Sequence, residues 1–296
     1  MSGIVGIICK EKNEGLSRGL SKMADSIKHR GGSEKHAIVD KRIGFAVRHH
    51  EDSAYGAEIY ENDECLVAVD GNFRNKAELN KFVATQSISC PAHLMWKGYN
   101  KAGLQFLDRI DGSFAAVIYD RRTDVVVLSR DIFGQRPLYY GCQQGNFWFS
   151  SEIKGVLAAP GFVGAVNQSE ISSTLAFGVT VGPETLLKNL FKVLPGYAMR
   201  GSPGHKLDCR LYFDPASIQP AKGLTSMDEF ANEIWQVLGT STSDQLNGSK
   251  KNGLFLSSGI DSALVALQLS KVTHSKAMAI TCGYRDNPNH DESEKE

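Results

Sequence analysis

The chain carries no net charge, no long apolar run and no closely spaced cysteines, and each absence removes a class of function. Lys+Arg and Asp+Glu number 33 each in 296 residues. With no basic excess to neutralise a phosphate backbone, nucleic acid is not an expected partner. No apolar stretch approaches the ~18–20 residues that a membrane-spanning helix needs, so no membrane is expected either. The opening MSGIVGIICKEKN is apolar for only a few residues, with no basic region ahead of it, and does not read as a signal peptide. A cytoplasmic location is therefore expected. The six cysteines (Cys9, Cys65, Cys90, Cys142, Cys209, Cys282) show no C-x-x-C or Cys/His ligand spacing. That argues against structural zinc, and no metal ligand set can be named. A disulfide framework is equally unexpected in this compartment, and most of the six should be small core residues. Neither an internal repeat nor a low-complexity segment is present.

What is there reads as two domains. Ile4 to Cys9 is a short apolar run of the buried-strand kind. Leu16, Leu20, Met23, Ala24 and Ile27 recur at helical spacing, which predicts an amphipathic helix over about 14–28. Leu66 to Val69 predicts a strand that stops at the turn dipeptide Asp70-Gly71. Helices are expected around 76–84 and 91–102, strands at Phe114–Tyr119, Val125–Leu128 and Phe147–Phe149, and a helix over Glu152–Leu157. Trp96, Trp148 and Trp235 lie in apolar periodic segments and should be core. His49-His50 reads as a strand end, since adjacent strand residues face opposite ways.

Residues 194–224 are rich in proline, glycine and polar residues and predict a linker. Beyond it, Thr225 or Ser226 could cap a helix to about Leu246, with Asp228 and Glu229 near its positive end. A strand at Gly253–Leu256, a helix over Ser262–Lys271 and a strand at Ala277–Thr281 form the opening of a parallel α/β unit. Two strands are too few for a doubly wound sheet. The expectation is that the chain is truncated or that something else completes the second domain.

Between the strand at 253–256 and the following helix lies Ser257-Ser258-Gly259-Ile260-Asp261-Ser262. Small residues there let backbone N–H groups approach phosphate oxygens at the positive end of a helix. The loop lacks the lysine and spacing of a Walker A motif. A tight strand–helix turn capped by Ser and Asp would need the same residues. The rest of the chain weighs toward nucleotide. MSGIVGI, HRGGS (His29–Ser33), DGNFRN (Asp70–Asn75), IDGSFAAVIYD (Ile110–Asp120), SRDIFGQRPLYYG (Ser129–Gly141), FSSEIKGVLA (Phe149–Ala158), LPGYAMR (Leu194–Arg200) and FLSSGIDSA (Phe255–Ala263) follow one another in order. In that order and spacing they resemble the glutamine-dependent asparagine synthetases along essentially the whole chain.

The resemblance implies a four-layer αββα sandwich of the N-terminal-nucleophile type over 1–210. A linker at 211–226 and the first part of an ATP-pyrophosphatase α/β domain over 227–296 would follow. It implies an ATP-dependent amide ligase, with ATP and Mg²⁺ as cofactors and aspartate, glutamine or ammonia as small-molecule substrates. Ser257, Ser258, Gly259, Asp261 and Ser262 would hold the pyrophosphate, with Phe255 and Cys282 beside the adenine. Asp291-Glu292 matches the family's acidic pair. The family's S-G-E-G-x-D motif and aspartate pocket are missing, so a homodimer or a completing partner is an open expectation.

By the same resemblance the glutamine pocket departs from the family at clustered positions. Ser2 stands where the family has its cysteine nucleophile, whose own α-amino group (pKa ~7.7–8) is the base. The family's R-G-P-D is Arg30-Gly31-Gly32-Ser33. Its N-G-E, which serves the oxyanion hole and the substrate ammonium, is Asp70-Gly71-Asn72. An ionised Asp only accepts hydrogen bonds, so Asp70 would oppose a developing oxyanion. The family's G-[ST]-D has no acidic counterpart in Gln86–Cys90. Arg48 aligns, across a gap, with the arginine that binds the glutamine carboxylate. The expectation is a glutaminase site that has lost hydrolysis, leaving ammonia as the nitrogen source. A non-catalytic scaffold or regulatory subunit, and a Ser2 amidase acting on another amide, are the alternative readings.

Overall fold

The computed structural model describes residues 2–50, 56–85, 87–219, 223, 226–246, 252–273 and 277–283. The chain forms two compact units, Met1–Ser217 and Ile218–Glu296. The first unit begins with β1 (Gly3–Ile8), α1 (Leu16–Ser26), β2 (Ser33–Val39), β3 (Ile43–His49), β4 (Ala57–Glu61) and β5 (Cys65–Phe73). It continues with α2 (Lys76–Val83), α3 (Pro91–Ala102), β6 (Gly112–Asp120), β7 (Val125–Arg130), β8 (Tyr139–Gln143) and β9 (Asn146–Ser150). It closes with α4 (Ile153–Leu157), α5 (Ser169–Phe177), β10 (Leu190–Lys192), β11 (Tyr197–Gly201) and β12 (Asp208–Leu211). The strands make two six-stranded sheets, ordered β10-β8-β9-β1-β3-β2 and β12-β11-β7-β6-β5-β4. The strand pairs within them are antiparallel.

Three apolar layers follow from the two-residue period of the strands. Ile4 and Ile8 join Phe45, Leu66, Ala68, Val117, Leu128 and Phe149 between the sheets. Val5, Ile7 and Cys9 face the other way, onto Leu16, Leu20, Met23 and Ile27 of the α1 segment. Val67 and Val69 pack outward with Leu94, Trp96 and Phe106. The result is helix, sheet, sheet, helix: the αββα sandwich. Because the central strands are buried on both faces, they read as continuous apolar runs, not as alternating patterns.

Several expectations need correction. Asp70-Gly71 is not a turn; β5 runs through it, with Asp70 opposite Ala57 and Ala115 and Gly71 opposite Phe114. Pairing to strands on both sides overrides the local turn signal. The glycine is there for proximity, since a Cβ at Gly71 (φ +137°) would lie 2.0 Å from the Ser113 carbonyl oxygen. Much of 194–224 is not linker, because β11 and β12 occupy it and extend the second sheet. Cys9 and Cys65 are buried and Cys90 and Cys142 are half-buried against the core, whereas Cys209 and Cys282 are exposed. Trp235 is half-buried, with Lys271 Nζ 4.5 Å from its ring centroid.

In the second unit α6 (Met227–Leu246) starts with a capping box. Ser226 Oγ accepts from Glu229 N–H (3.2 Å), and Glu229 Oε2 accepts from Ser226 N–H (3.1 Å). Strands β13 (Gly253–Phe255) and β14 (Met278–Ile280) pair in parallel across α7 (Ile260–Val272). Gln86, Thr225, His290, Asp291 and Glu292 lie outside the described residues.

Candidate active site and nucleotide loop

Ser2 precedes β1 and continues the inward-facing series of Ile4 and Ile8, while Asp70 continues the inward-facing series of Leu66 and Ala68. The two meet across the inter-sheet space. Ser2 Oγ donates to Asp70 Oδ1 at 2.5 Å, with Ser2 only 1% exposed and Asp70 fully buried. Two arginines flank the carboxylate: Arg136 lies 3.6 Å from Oδ1 and Arg30 3.8 Å from Oδ2. Oδ2 itself has no hydrogen-bond partner. Arg30 Nε donates to the Ser2 carbonyl (2.6 Å), and its Nη1 donates to Glu152 (3.0 Å). Glu152 also contacts His29 (2.7 Å) and Lys154 (3.1 Å). Burial works to raise the Glu152 carboxyl, but the hydrogen bonds from Arg30, His29 and Lys154 outweigh it and hold the group below its ordinary range.

Of the other residues expected at the pocket, Arg48 lies on β3 opposite Gly3, the neighbour of Ser2. Arg48 Nε donates to the Ala24 carbonyl (3.1 Å), and its Nη2 pairs with both Asp25 (2.6 Å) and Glu34. Its charge is thus matched by two carboxylates, and the guanidinium groups at Ser2 and Asp70 are those of Arg30 and Arg136. Asn72 is half-buried on β5, opposite Ser113. Arg136 was missed because its neighbourhood, the turn after β7, reads as packing geometry. That turn is indeed tightly organised. Asp131, fully buried, accepts backbone N–H bonds from Phe114, Phe133, Gln135 and Arg136 at 3.0–3.2 Å. Arg130 donates to the carbonyls of Arg136 (2.7 Å), Gly134 (2.5 Å) and Val193 (3.0 Å).

In the second unit Ser257, Ser258 and Gly259 link β13 to α7, with Gly259 at the N-cap. Ser257 Oγ lies 3.0 Å from Ser262 Oγ. The Ser262 hydroxyl reaches the carbonyls of Ser257 (2.8 Å) and Gly259 (2.9 Å). The first intrahelical bond of α7 runs from Ala263 N–H to the Gly259 carbonyl (3.2 Å). Gly259 N–H donates to Ser257 Oγ (3.3 Å) and Ser257 N–H to Ser262 Oγ (3.1 Å), which leaves the N–H groups of Ile260, Asp261 and Ser262 as the helix-start donors that make no intrahelical bond. A Cβ at Gly259 would come within 3.3 Å of Ser257 Oγ, so the loop is compact. This donor set fits a phosphate group. Asp261, in the first turn of α7, fits a phosphate only if a cation intervenes. Phe255 is 77% exposed and Cys282 is exposed.

The sandwich, with a small hydroxyl residue at the head of its central strand, defines a class. The glutamine amidotransferase domain family matches residues 1–212, and the chain belongs to that family. The asparagine synthase family matches residues 233–296. Asparagine synthetase (glutamine-hydrolyzing) 2 of Bacillus subtilis is 28% identical over 90% of this chain and 38% of its own length. A putative asparagine synthetase (glutamine-hydrolyzing) 2 of Methanocaldococcus jannaschii is 25% identical over 96% of this chain and 60% of its own length. The chain thus spans between about two-fifths and three-fifths of these relatives. A solved glutamine phosphoribosylpyrophosphate amidotransferase of B. subtilis aligns over 96% of this chain and 66% of its own, with TM-score 0.47 and 13% identity.

Proposed function

We propose that the first unit is a glutamine amidotransferase fold that no longer hydrolyses glutamine. On this reading it is joined to an asparagine-synthetase-type ligase that draws nitrogen from free ammonia. The observation that carries this reading is the contact between Ser2 Oγ and the buried Asp70 carboxylate. Glutamine hydrolysis needs a nucleophile freed of its proton and donors aimed at the oxygen that becomes negative. Removal of Met1 would give Ser2 a free amine. An amine of that basicity activates a hydroxyl far less than a thiol. The carboxylate beside it offers an acceptor where the chemistry requires a donor. The charge of Arg48 is already matched by Asp25 and Glu34 through Nη2, which weakens its pull on a substrate carboxylate.

For the second unit, the proposed role of the Ser257–Ser262 loop is to present backbone N–H groups and hydroxyls to the pyrophosphate of MgATP. Phe255 and Cys282 would lie near the base, as the resemblance implies. ATP would supply activation of a carboxylic acid, aspartate by analogy with the relatives, as an acyl-adenylate. The division at 1–210, 211–226 and 227–296 belongs to this same reading, as does a partner or second copy completing the ligase site.

Two assays test it on the protein. AMP release from MgATP and aspartate should appear with ammonium chloride and not with glutamine. Glutamate release from glutamine should stay at background for the wild type and for Ser2→Cys, because Asp70 and Asn72 remain. AMP formation with glutamine, or robust glutaminase activity in the single Ser2→Cys variant, would sink the reading.

A further inference from the structure

The two sheets do not close on each other everywhere. At the end away from β2 and β4, where β8 and β10 face β11 and β12, they leave a cavity of about 490 Å³. Its lining follows the two-residue period on both sheets. Tyr140 and Cys142 of β8 and Phe191 of β10 form one wall; Tyr197 and Met199 of β11 and Cys209 of β12 form the other. Rings pave the first wall, with the Tyr140 centroid 5.9 Å from Phe147 and 5.4 Å from Phe191. Tyr140, Cys142 and Met199 also pack against the inter-sheet core, so the cavity is a continuation of that core. The hairpin between β11 and β12 bounds one end. Gly204 at its tip (φ +84°) approaches the Gly145 backbone so closely that a Cβ would lie 2.6 Å from the Gly145 oxygen.

Sheets stack about 10 Å apart, and their inner faces are ordinarily filled by interdigitating side chains. Apolar walls around an unfilled space lose their packing partners, so a bound apolar group is favoured there. The size lies within the 300–1,000 Å³ typical of small-molecule sites. Charge is distributed unevenly around it. Two lysines, Lys192 and Lys206, line it against the single carboxylate of Glu184, with His205 beside Lys206. Lys192 Nζ is anchored to the Thr180 carbonyl (2.6 Å) and hydroxyl (2.8 Å), and His205 and Lys206 are exposed on the hairpin. The charged minority is therefore two ammonium groups to one carboxylate around an apolar interior.

We propose that this cavity is a binding site for a small amphiphilic anion, an acyl or aryl carboxylate with its apolar body between the sheets and its head beside Lys206. The site is separate from the Ser2–Asp70 pocket and does not depend on the proposed loss of glutaminase activity.

Decanoate is the probe, with decanol as its uncharged counterpart, titrated calorimetrically into the full chain. Saturable decanoate binding is expected with a Kd on the order of 10–100 μM, about what a dozen heavy atoms can achieve. Lys206→Glu should weaken decanoate at least severalfold and leave decanol unchanged. Met199→Trp, which fills the space from β11, should abolish binding of both. Cys209→Trp, on the exposed edge strand β12, gives the same test with less disturbance of the core. No saturable binding, or binding untouched in a folded Met199→Trp or Cys209→Trp variant, would overturn the site. Decanol binding as tightly as decanoate would overturn the assignment of an anion.

Discussion

Two fully buried carboxylates of the first unit, Asp131 and Asp70, are treated in opposite ways by their surroundings. Asp131 sits in the turn after β7 and receives four backbone N–H bonds, two on each oxygen. Asp70 receives one hydroxyl on Oδ1, has two guanidinium groups beyond hydrogen-bond length, and leaves Oδ2 unpartnered. Folded proteins satisfy buried polar atoms wherever the group serves structure, and exceptions concentrate where another demand operates or once operated. Asp131 is thus a fixture of the scaffold. Asp70 is satisfied far less completely by the groups around it. That contrast supports a retained framework with an altered pocket more directly than the Ser2 position alone.

The same isosteric change at both positions sharpens the contrast. Asp131→Asn replaces one acceptor oxygen by a donor, so two backbone N–H groups lose their partner. A cost of about 3 kcal/mol is expected, read from urea unfolding followed by tryptophan fluorescence. Asp70→Asn can keep the Ser2 bond on Oδ1 and places its NH₂ where no hydrogen bond existed. Arg30 retains Glu152. A loss below about 1 kcal/mol is expected. Equal losses at the two sites, or the larger loss at Asp70, would break the comparison.

Much of this was legible in the sequence, and the exceptions have physical causes. The helical face of Leu16, Leu20, Met23 and Ile27 and the apolar run of β1 are local patterns, and each maps onto its element. The strands β2, β3, β4, β8, β10, β11 and β12 carry weaker local signals. Most of these lie toward the edges of their sheets, where mixed polarity and glycine resemble loop. Asp70-Gly71 misled for the opposite reason: a turn-forming pair is held extended by long-range pairing on both sides. At the pocket, Ser2 and Asp70 could be singled out by their residue types. Arg30 stood out only within its Arg30-Gly31-Gly32-Ser33 block and Arg136 not at all, because what matters there is the convergence of segments distant in sequence, which no spacing rule reports.

The smallest expected effect concerns the outer shell of the pocket. Glu152 links Arg30, and through it Ser2 and Asp70, to His29 and Lys154 near the surface. Its carboxyl is held below the ordinary range, so the folded state binds its proton less readily than the unfolded chain does. For a depressed acid the linked stability is fully present above the unfolded pKa, about 4.3 for Glu, and is lost as pH falls through the lower folded value. Glu152→Gln cannot supply this contribution at any pH. The variant should be less stable than the wild type near neutrality by under about 1 kcal/mol, a partly solvated ion-pair cluster being worth no more. The difference should shrink as pH falls below about 4. Thermal melts of the two proteins at intervals between pH 3 and 7 read this directly. A difference that stays constant across that range would show Glu152 acting through shape and packing, and would detach it from the charge network around Asp70.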